Sequence, residues 1–451
     1  MIKILPTIGP ASEDAKSIIN FSKKTKIFRL NGSHANLAWH TNTISRIRSI
    51  CPNAFILLDI PGIKPRTSNE VNLKINKGDK VLFGLSKSSK KYLSIELTKP
   101  LPRYDKNLKL FSLNDGQFIF DVIERHKQFI VGKSKSTFTL FPNKGINLPN
   151  SIYNEKKQLN VYTDFIKKII NLDVNALGLS FVQSNFIVNE VRKIVPDLVL
   201  ISKLENSEGL RNSVNIINSS DAIMIDRGDL AAEIGLETLY NAVEEISSNT
   251  KKNGKPLIMA TENLGSMIDR QTPSKSDVMS IVHSISVGAD CIMLSEETAL
   301  AENSQQIMDW LTHFIDKLKP IKSHKVITTT QKKFPEIWQL IKETDDIPAL
   351  LMTKSGYGLF NYIAIKPNAP VIIITSNKKI IEVSKLFSND IMIVESIIKD
   401  EAPIETIWEV IQKNKISIFK KNEKILAIYV SKYISGARAN SISYFHKKDF
   451  I

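Results

Sequence analysis

The sequence predicts an α/β protein built on a closed (β/α)₈ barrel, and three observations carry that expectation. Eight short runs are apolar throughout, helically spaced stretches separate them, and successive runs start about 20–35 residues apart except in one interval. Runs without polar alternation read as parallel strands buried on both faces. Eight such units favour a closed barrel over an open sheet.

In chain order the runs are Ile2–Leu5, Ile27–Leu30, Phe55–Ile60, Leu177–Phe181, Leu198–Leu204, Ala222–Ile225, Leu257–Ala260 and Cys291–Leu294. Phe165–Ile170, Val188–Ile194 and Leu239–Ile246 are among the helical stretches. Nearly 120 residues separate the third run from the fourth, too many for one helix. That interval reads as β, with turns at Lys77-Gly78-Asp79 and Asn114-Asp115-Gly116 and alternation in Phe129–Phe141. It is expected to be an inserted, β-barrel-like lid domain over the C-terminal mouth of the barrel. From about Ile321 a third, α/β domain is expected, with strands at Ala349–Met352, Val371–Ile374 and Ile425–Val430. The predicted organisation is 1–66 with 148–318 for the barrel, 67–147 for the insert and 322–451 for the C-terminal domain.

The composition fits three globular domains. The chain has 451 residues, 42% hydrophobic and 24% charged, which excludes disordered, collagenous and coiled-coil classes. The net charge is +15, with a pI near 9.4. The excess is mostly Lys spread along the chain among many Ile and Asn, a bias that AT-rich coding produces. It forms no basic stripe with interleaved aromatics, so nucleic acid is not expected and anionic substrates are the better use of the charge. Cys51 and Cys291 lie too far apart for metal-ligand spacing and fit a reducing cytosol. MIKILPTIGPASED lacks a signal-peptide h-region, and no apolar run reaches 18 residues, so a cytoplasmic protein without membrane contact is expected.

Catalytic groups of such barrels come from the C-terminal ends of strands. The ends here carry Arg29-Leu30-Asn31-Gly32-Ser33-His34, Asp59 through Arg66, Ser202-Lys203-Leu204-Glu205, Asp226-Arg227-Gly228-Asp229, Thr261-Glu262 and Ser295-Glu296-Glu297. Glu205 and Asp229 are candidate Mg²⁺ ligands, since that ion takes one or two carboxylates plus substrate oxygens. Lys203, two positions before Glu205, shares its strand face. Arg29, Lys64 and Arg66 add positive charge, which suits a phosphorylated carboxylic acid and a nucleotide phosphate.

The ordered motifs resemble the pyruvate kinases. They are Thr7-Ile8-Gly9-Pro10-Ala11-Ser12, Arg29-Leu30-Asn31, Lys144-Gly145-Ile146-Asn147-Leu148-Pro149, Ile201-Ser202-Lys203-Leu204-Glu205-Asn206, Arg227-Gly228-Asp229-Leu230 and Met293-Leu294-Ser295. The resemblance implies a TIM barrel that transfers phosphoryl from phosphoenolpyruvate to ADP, giving pyruvate and ATP in the last step of glycolysis. It implies Mg²⁺ (or Mn²⁺) on Glu205 and Asp229, the substrate carboxylate on the Gly228 and Asp229 amides, and phosphoryl neutralisation by Arg29 and Lys203. Lys203 then stabilises the enolate, and Thr261 protonates it through water. Ser295 is placed with the substrate, and Asn31, His34, Arg66 and Lys144 with the nucleotide. A plain loop role is the other reading of His34. The family's assembly implies a homotetramer.

Departures from the family pattern are as informative. Family members commonly read Asp-Thr-Lys-Gly-Pro-Glu-Ile-Arg where this chain has Asp59-Ile60-Pro61-Gly62-Ile63-Lys64-Pro65-Arg66. Members with lysine at that place dispense with K⁺, which in others sits beside residues like Asn31, Ser33 and Asp59. Lys64 is therefore expected to supply the missing positive charge, the other reading being a solvated loop residue. Glu296 replaces a glycine, Glu262 a glutamine and Asp226 an alanine, three acidic changes at one rim that either face outward or alter turnover. The insert reads Asn114-Asp115-Gly116 for Asp-Asp-Gly. Thr353-Lys354-Ser355-Gly356-Tyr357-Gly358 resembles the family's phosphate-effector loop, whereas Ser435-Gly436-Ala437-Arg438 has a single glycine, so the effector stays open. A Mg²⁺-dependent lyase of a pyruvyl substrate and a substrate-shifted or non-catalytic regulatory relative are the alternatives.

Overall fold

A computed structural model describes residues 2–85, 91–319, 335–343, 347–365, 370–397, 403–413, 424–432 and 438–446. The eight expected barrel strands are present: β1 (Lys3–Pro6), β2 (Ile27–Asn31), β3 (Phe55–Ile60), β4 (Ala176–Leu179), β5 (Val199–Leu204), β6 (Ala222–Asp226), β7 (Leu257–Ala260) and β8 (Cys291–Leu294). Each pairs in parallel with its neighbour, in the order β1-β8-β7-β6-β5-β4-β3-β2. A parallel bridge between Thr7 and Arg29, with Ile8 N–H donating to Arg29 O at 2.9 Å, joins the two ends and closes the barrel.

The uniform apolarity of the strands follows from this closure. Alternate residues face opposite ways, so Ile56, Leu58 and Ile60 pack outward against helix residues Ile44, Ile47, Tyr162 and Ile166. Phe55 and Leu57 point inward and fill the barrel with Val199, Ile201, Met224, Ile258 and Met293. The outer helices Glu155–Ile169, Asn185–Ile194 and Leu236–Lys252 hold the three helical stretches, except that the first helix stops at Ile169, one residue before the expected Ile170. Asn154 and Ser184 cap two of them by accepting from the Lys157 and Phe186 amides.

Four strands end differently from expectation, and two of them, β1 and β2, simply run one residue further, through Pro6 and Asn31. β4 stops at Leu179 rather than Phe181, because Phe181 takes a left-handed backbone (φ 59°) and donates its amide to Glu205 Oε1 at 2.6 Å. β6 extends through Asp226, the N-cap of a helix at Arg227–Ile234 that lies across the mouth.

The insert forms a six-stranded sheet and a two-stranded one around Phe83, Phe111 and Phe120. Both expected turns are present, with Gly78 at φ 94° and Asn114, Asp115 and Gly116 at 53°, 52° and 91°. The second turn hangs over the barrel mouth, where Asp115 pairs with Lys64 and Gly116 packs near Ala232.

The C-terminal segment forms a sheet ordered Ile391–Glu395, Val371–Thr375, Ala349–Met352, Lys424–Lys432 and Arg438–His446, antiparallel only at the last pair. It sits against the opposite end of the barrel. Asp290 accepts from Ser388 Oγ at 2.9 Å, Asn175 donates to Glu382 Oε2 at 2.8 Å, and Cys291 Sγ donates to Leu386 O. The expected domain start near Ile321 and most of the Ser435–Arg438 loop lie outside the described residues. In the Thr353 loop, the Thr353 hydroxyl accepts from the Gly356 amide at 2.9 Å, so it closes its own turn.

Candidate functional site

Five strand ends and the insert converge at the mouth. Arg29, at the end of β2, is buried and donates through Nε and Nη2 to Asp59 Oδ2 at 3.0 and 2.7 Å. Its Nη1 reaches the Thr7 hydroxyl at 2.9 Å. Asp59 is itself buried against Gly178 of β4. A Cβ there would stand 2.0 Å from Asp59 Oδ1, so only glycine leaves room for this carboxylate.

The Lys203 ammonium lies among three carboxylates, 3.0 Å from Glu205 Oε2, 3.3 Å from Asp226 Oδ2 and 3.8 Å from Asp59 Oδ2. Burial works against its charge, but Glu205, Asp226 and Asp59 outweigh burial and hold the ammonium protonated. Glu205 has no exposed surface, and burial pushes its carboxyl up to about 8 despite Lys203.

Lys64 is buried, which removes the solvated-loop reading. Its ammonium pairs with Asp229 and lies 3.2 Å from Asp115. Burial raises the Asp229 carboxyl, but Lys64 more than offsets this and holds it at about 2. The side chain does not join Asn31, Ser33 and Asp59. The loop after β3 turns toward the insert, where Pro65 O accepts from the Ile146 amide at 3.1 Å, and this carries Lys64 beneath Gly145. Asn31 instead accepts from its own turn at the Ser33 amide.

One carboxylate oxygen from each of Glu205, Asp226 and Asp229 lies within 4.8 Å of the other two, a spacing that a divalent ion can bridge. The residues fit such an ion. All are oxygen donors, and the buried Glu205 Oε2 is paired with the Lys203 ammonium.

Thr261 stands at the end of β7 with φ 57°, an unusual backbone for a β-branched residue. Its Oγ1 accepts from the Gly228 amide at 3.1 Å and lies 3.1 Å from Asp226 Oδ1. Arg227 braces this backbone by donating to Thr261 O and to Asn263 Oδ1 at 2.9 Å. Gly228 and Asp229 begin the helix Arg227–Ile234, whose amide end favours an anionic group.

Arg66 and His34 meet on the other side of the mouth. Burial and the nearby Arg66 and Arg29 guanidinium groups hold the His34 imidazole below its usual range. Arg66 Nη1 donates to Asn143 O at 3.0 Å, and its neighbour Thr67 receives the Lys144 amide on its hydroxyl, which ties the backbone at Lys144 to the residue after Arg66. Glu262 and Glu296 are exposed, whereas Glu297 turns in and accepts from the Ser295 amide at 2.6 Å. Of the three acidic rim changes, only Asp226 enters the site. Sequence reasoning did not foresee Asp226 as a cluster member, Asp115 on Lys64, the Phe181 amide on Glu205 or the bracing role of Arg227. Asp226 alone had a signal, as a carboxylate ending a strand beside Lys203 and Glu205.

With this geometry in hand, comparison with known proteins is informative. Residues 1–306 match the family described as "Pyruvate kinase, barrel domain". A pyruvate kinase of Thermococcus litoralis is 33% identical over 66% of this chain and 66% of its own length. One from Dictyostelium discoideum is 27% identical over 94% of this chain and 90% of its own. A protein of Nicotiana tabacum described as "Pyruvate kinase, cytosolic isozyme" is 31% identical over 66% of this chain and 62% of its own.

Proposed function

The chain belongs to the pyruvate kinase family of phosphotransferases, and we propose that it transfers the phosphoryl group of phosphoenolpyruvate to ADP, with Mg²⁺ and without K⁺. The observation that carries this reading is the gathering of Arg29, Lys203, Glu205, Asp229 and Thr261, from the ends of β2, β5, β6 and β7, around one mouth beneath the insert.

In this reading Glu205 and Asp229 hold Mg²⁺. When bound, the ion supplies fixed positive charge beside the oxygens on which negative charge develops. The amides that open the Arg227–Ile234 helix hold the substrate carboxylate. Arg29 and Lys203 neutralise the phosphoryl group while its bond to the enol oxygen breaks and one to an ADP oxygen forms. Lys203 then faces the enolate, and a water held by the Thr261 hydroxyl delivers the proton that makes pyruvate. Arg66 and Lys144 receive the nucleotide phosphates, with His34 and Asn31 alongside, and Ser295 borders the substrate.

K⁺ is dispensable in this reading because the buried, charged Lys64 is a tethered cation of the site's own. Its partners refine the idea: the ammonium acts through Asp229 and Asp115 rather than from beside Asp59. Assembly as a homotetramer through the C-terminal domain and a cytoplasmic location complete the proposal. Light scattering tests the tetramer.

A coupled assay for pyruvate, with and without ADP in K⁺-free buffer, tests the activity. ADP-dependent pyruvate formation is expected. Turnover without ADP indicates the lyase, and no turnover with substrate still bound indicates a regulatory relative. A many-fold rise on adding K⁺ rejects the role given to Lys64.

A further inference from the structure

We propose that Asp226 is a third carboxylate ligand of the divalent-ion site, so that the protein holds the ion firmly before any substrate arrives. The inference rests on Glu205 and Asp229 as metal ligands and adds a residue to them.

The first ground is geometric. Asp226 offers an oxygen within 4.8 Å of oxygens of both Glu205 and Asp229, close enough for one ion to touch all three. Asp226 is buried, and it comes from the end of β6, between β5 with Lys203 and β7 with Thr261.

The second ground is the state of Glu205. It is fully buried, its Oε1 is taken by the Phe181 amide, and its Oε2 is held by an ion pair to Lys203. That oxygen faces the Lys203 ammonium at 3.0 Å, and the same ammonium is 3.3 Å from Asp226 Oδ2. Glu205 and Asp226 therefore turn their oxygens to one point, now served by a lysine. Strongly buried anionic oxygens of this kind are completed by a hard cation.

The third ground is charge. Lys203 and Lys64 place two ammonium groups on the cluster. Asp115 and Asp59 also face these ammonium groups, and Arg29 pairs with Asp59. Asp226 adds one further negative charge to the cluster, which favours entry of a dication. A site with two carboxylates depends on substrate oxygens to complete the ion's shell, whereas a third protein carboxylate raises affinity for the bare ion.

The test uses the purified full-length chain, stripped with EDTA, dialysed, and titrated with Mn²⁺ in the absence of substrate. Free Mn²⁺ is read by electron paramagnetic resonance, and the Mn²⁺-induced rise in melting temperature is read in parallel. Asp226→Asn, which keeps the shape, and Asp226→Ala are each expected to weaken Mn²⁺ binding about tenfold or more, and to shrink the Mn²⁺-induced thermal shift. Binding within twofold of wild type in both variants overturns the proposal. Glu205→Gln separates the two levels of inference. If it abolishes Mn²⁺ binding while Asp226→Asn leaves it unchanged, Asp226 is only a counterion to Lys203 and the two-carboxylate site stands. If the wild-type chain takes up no Mn²⁺, both readings fall.

Discussion

Lys203 Nζ lies 3.0 Å from Glu205 Oε2, two positions further along and just past the end of β5. The period of a strand puts both on one face, and the closed barrel turns that face into the mouth. Without Lys203, Glu205, Asp226 and Asp59 would face one another with no ammonium between them.

Lys203→Met is therefore expected to lower ATP formation from ADP by about a hundredfold or more. In EDTA it also costs about 3 kcal/mol of stability, because buried carboxylates lose their partner. Added Mn²⁺ should restore more of the melting temperature in the variant than it adds to wild type. Undiminished turnover would remove Lys203 from the chemistry.

Thr261 separates backbone from hydroxyl. Thr261→Ser keeps Oγ and relieves the β-branched strain, so it should retain most activity. Thr261→Ala should slow protonation about a hundredfold. The direct readout is exchange of pyruvate methyl protons in D₂O, followed by NMR, which isolates this step from phosphoryl transfer.

Lys64 competes with the divalent ion for Asp229. Lys64→Met should tighten Mn²⁺ binding to the substrate-free protein, since a pinned ammonium no longer has to leave. The same variant should lose activity in K⁺-free buffer and regain part of it on adding K⁺. Weaker Mn²⁺ binding in the variant would contradict the competition.

Glu233, on the mouth helix, has no exposed surface, and burial pushes its carboxyl up to about 8 from 4.5. Between those values the folded chain keeps a proton that the unfolded chain releases. Its contribution is thus fully favourable below pH 4.5 and is lost as pH rises through 8, so stability falls with rising pH across that window. Glu233→Gln should flatten this decline and gain about 1 kcal/mol or more at pH 8. Urea midpoints at pH 6 and pH 8 measure it.

Gly178→Ala places a methyl group 2.0 Å from Asp59 Oδ1. The variant should lose about 3 kcal/mol and turnover with it, because Asp59 orients Arg29. Denaturant melts and the coupled assay test both losses.

The barrel was legible because burial on both faces leaves no polar alternation in Phe55–Ile60 or Val199–Leu204. The pairing of Lys203 with Glu205 was legible because strand spacing is local. Which of three acidic rim residues turns inward was not. Thr261 and Glu262 both take left-handed backbone, at φ 57° and 51°, and no residue type there signals it. Nor could spacing reveal that the loop after β3 carries Lys64 to Asp115, since that depends on where a separate sheet comes to rest. The early end of β4 has the same origin, in a hydrogen bond to a residue 24 positions away.

The strand that seals the cylinder also carries a guanidinium proposed to touch the migrating group, since Thr7 and Arg29 form the closing bridge and share a side-chain hydrogen bond. Architecture and chemistry are thus welded at one stave. Damage to Arg29 will leak into folding yield, and loosening of the N-terminal strand will masquerade as a catalytic defect. A mutational survey of this enzyme has to weigh soluble yield alongside rate before assigning any loss at that joint.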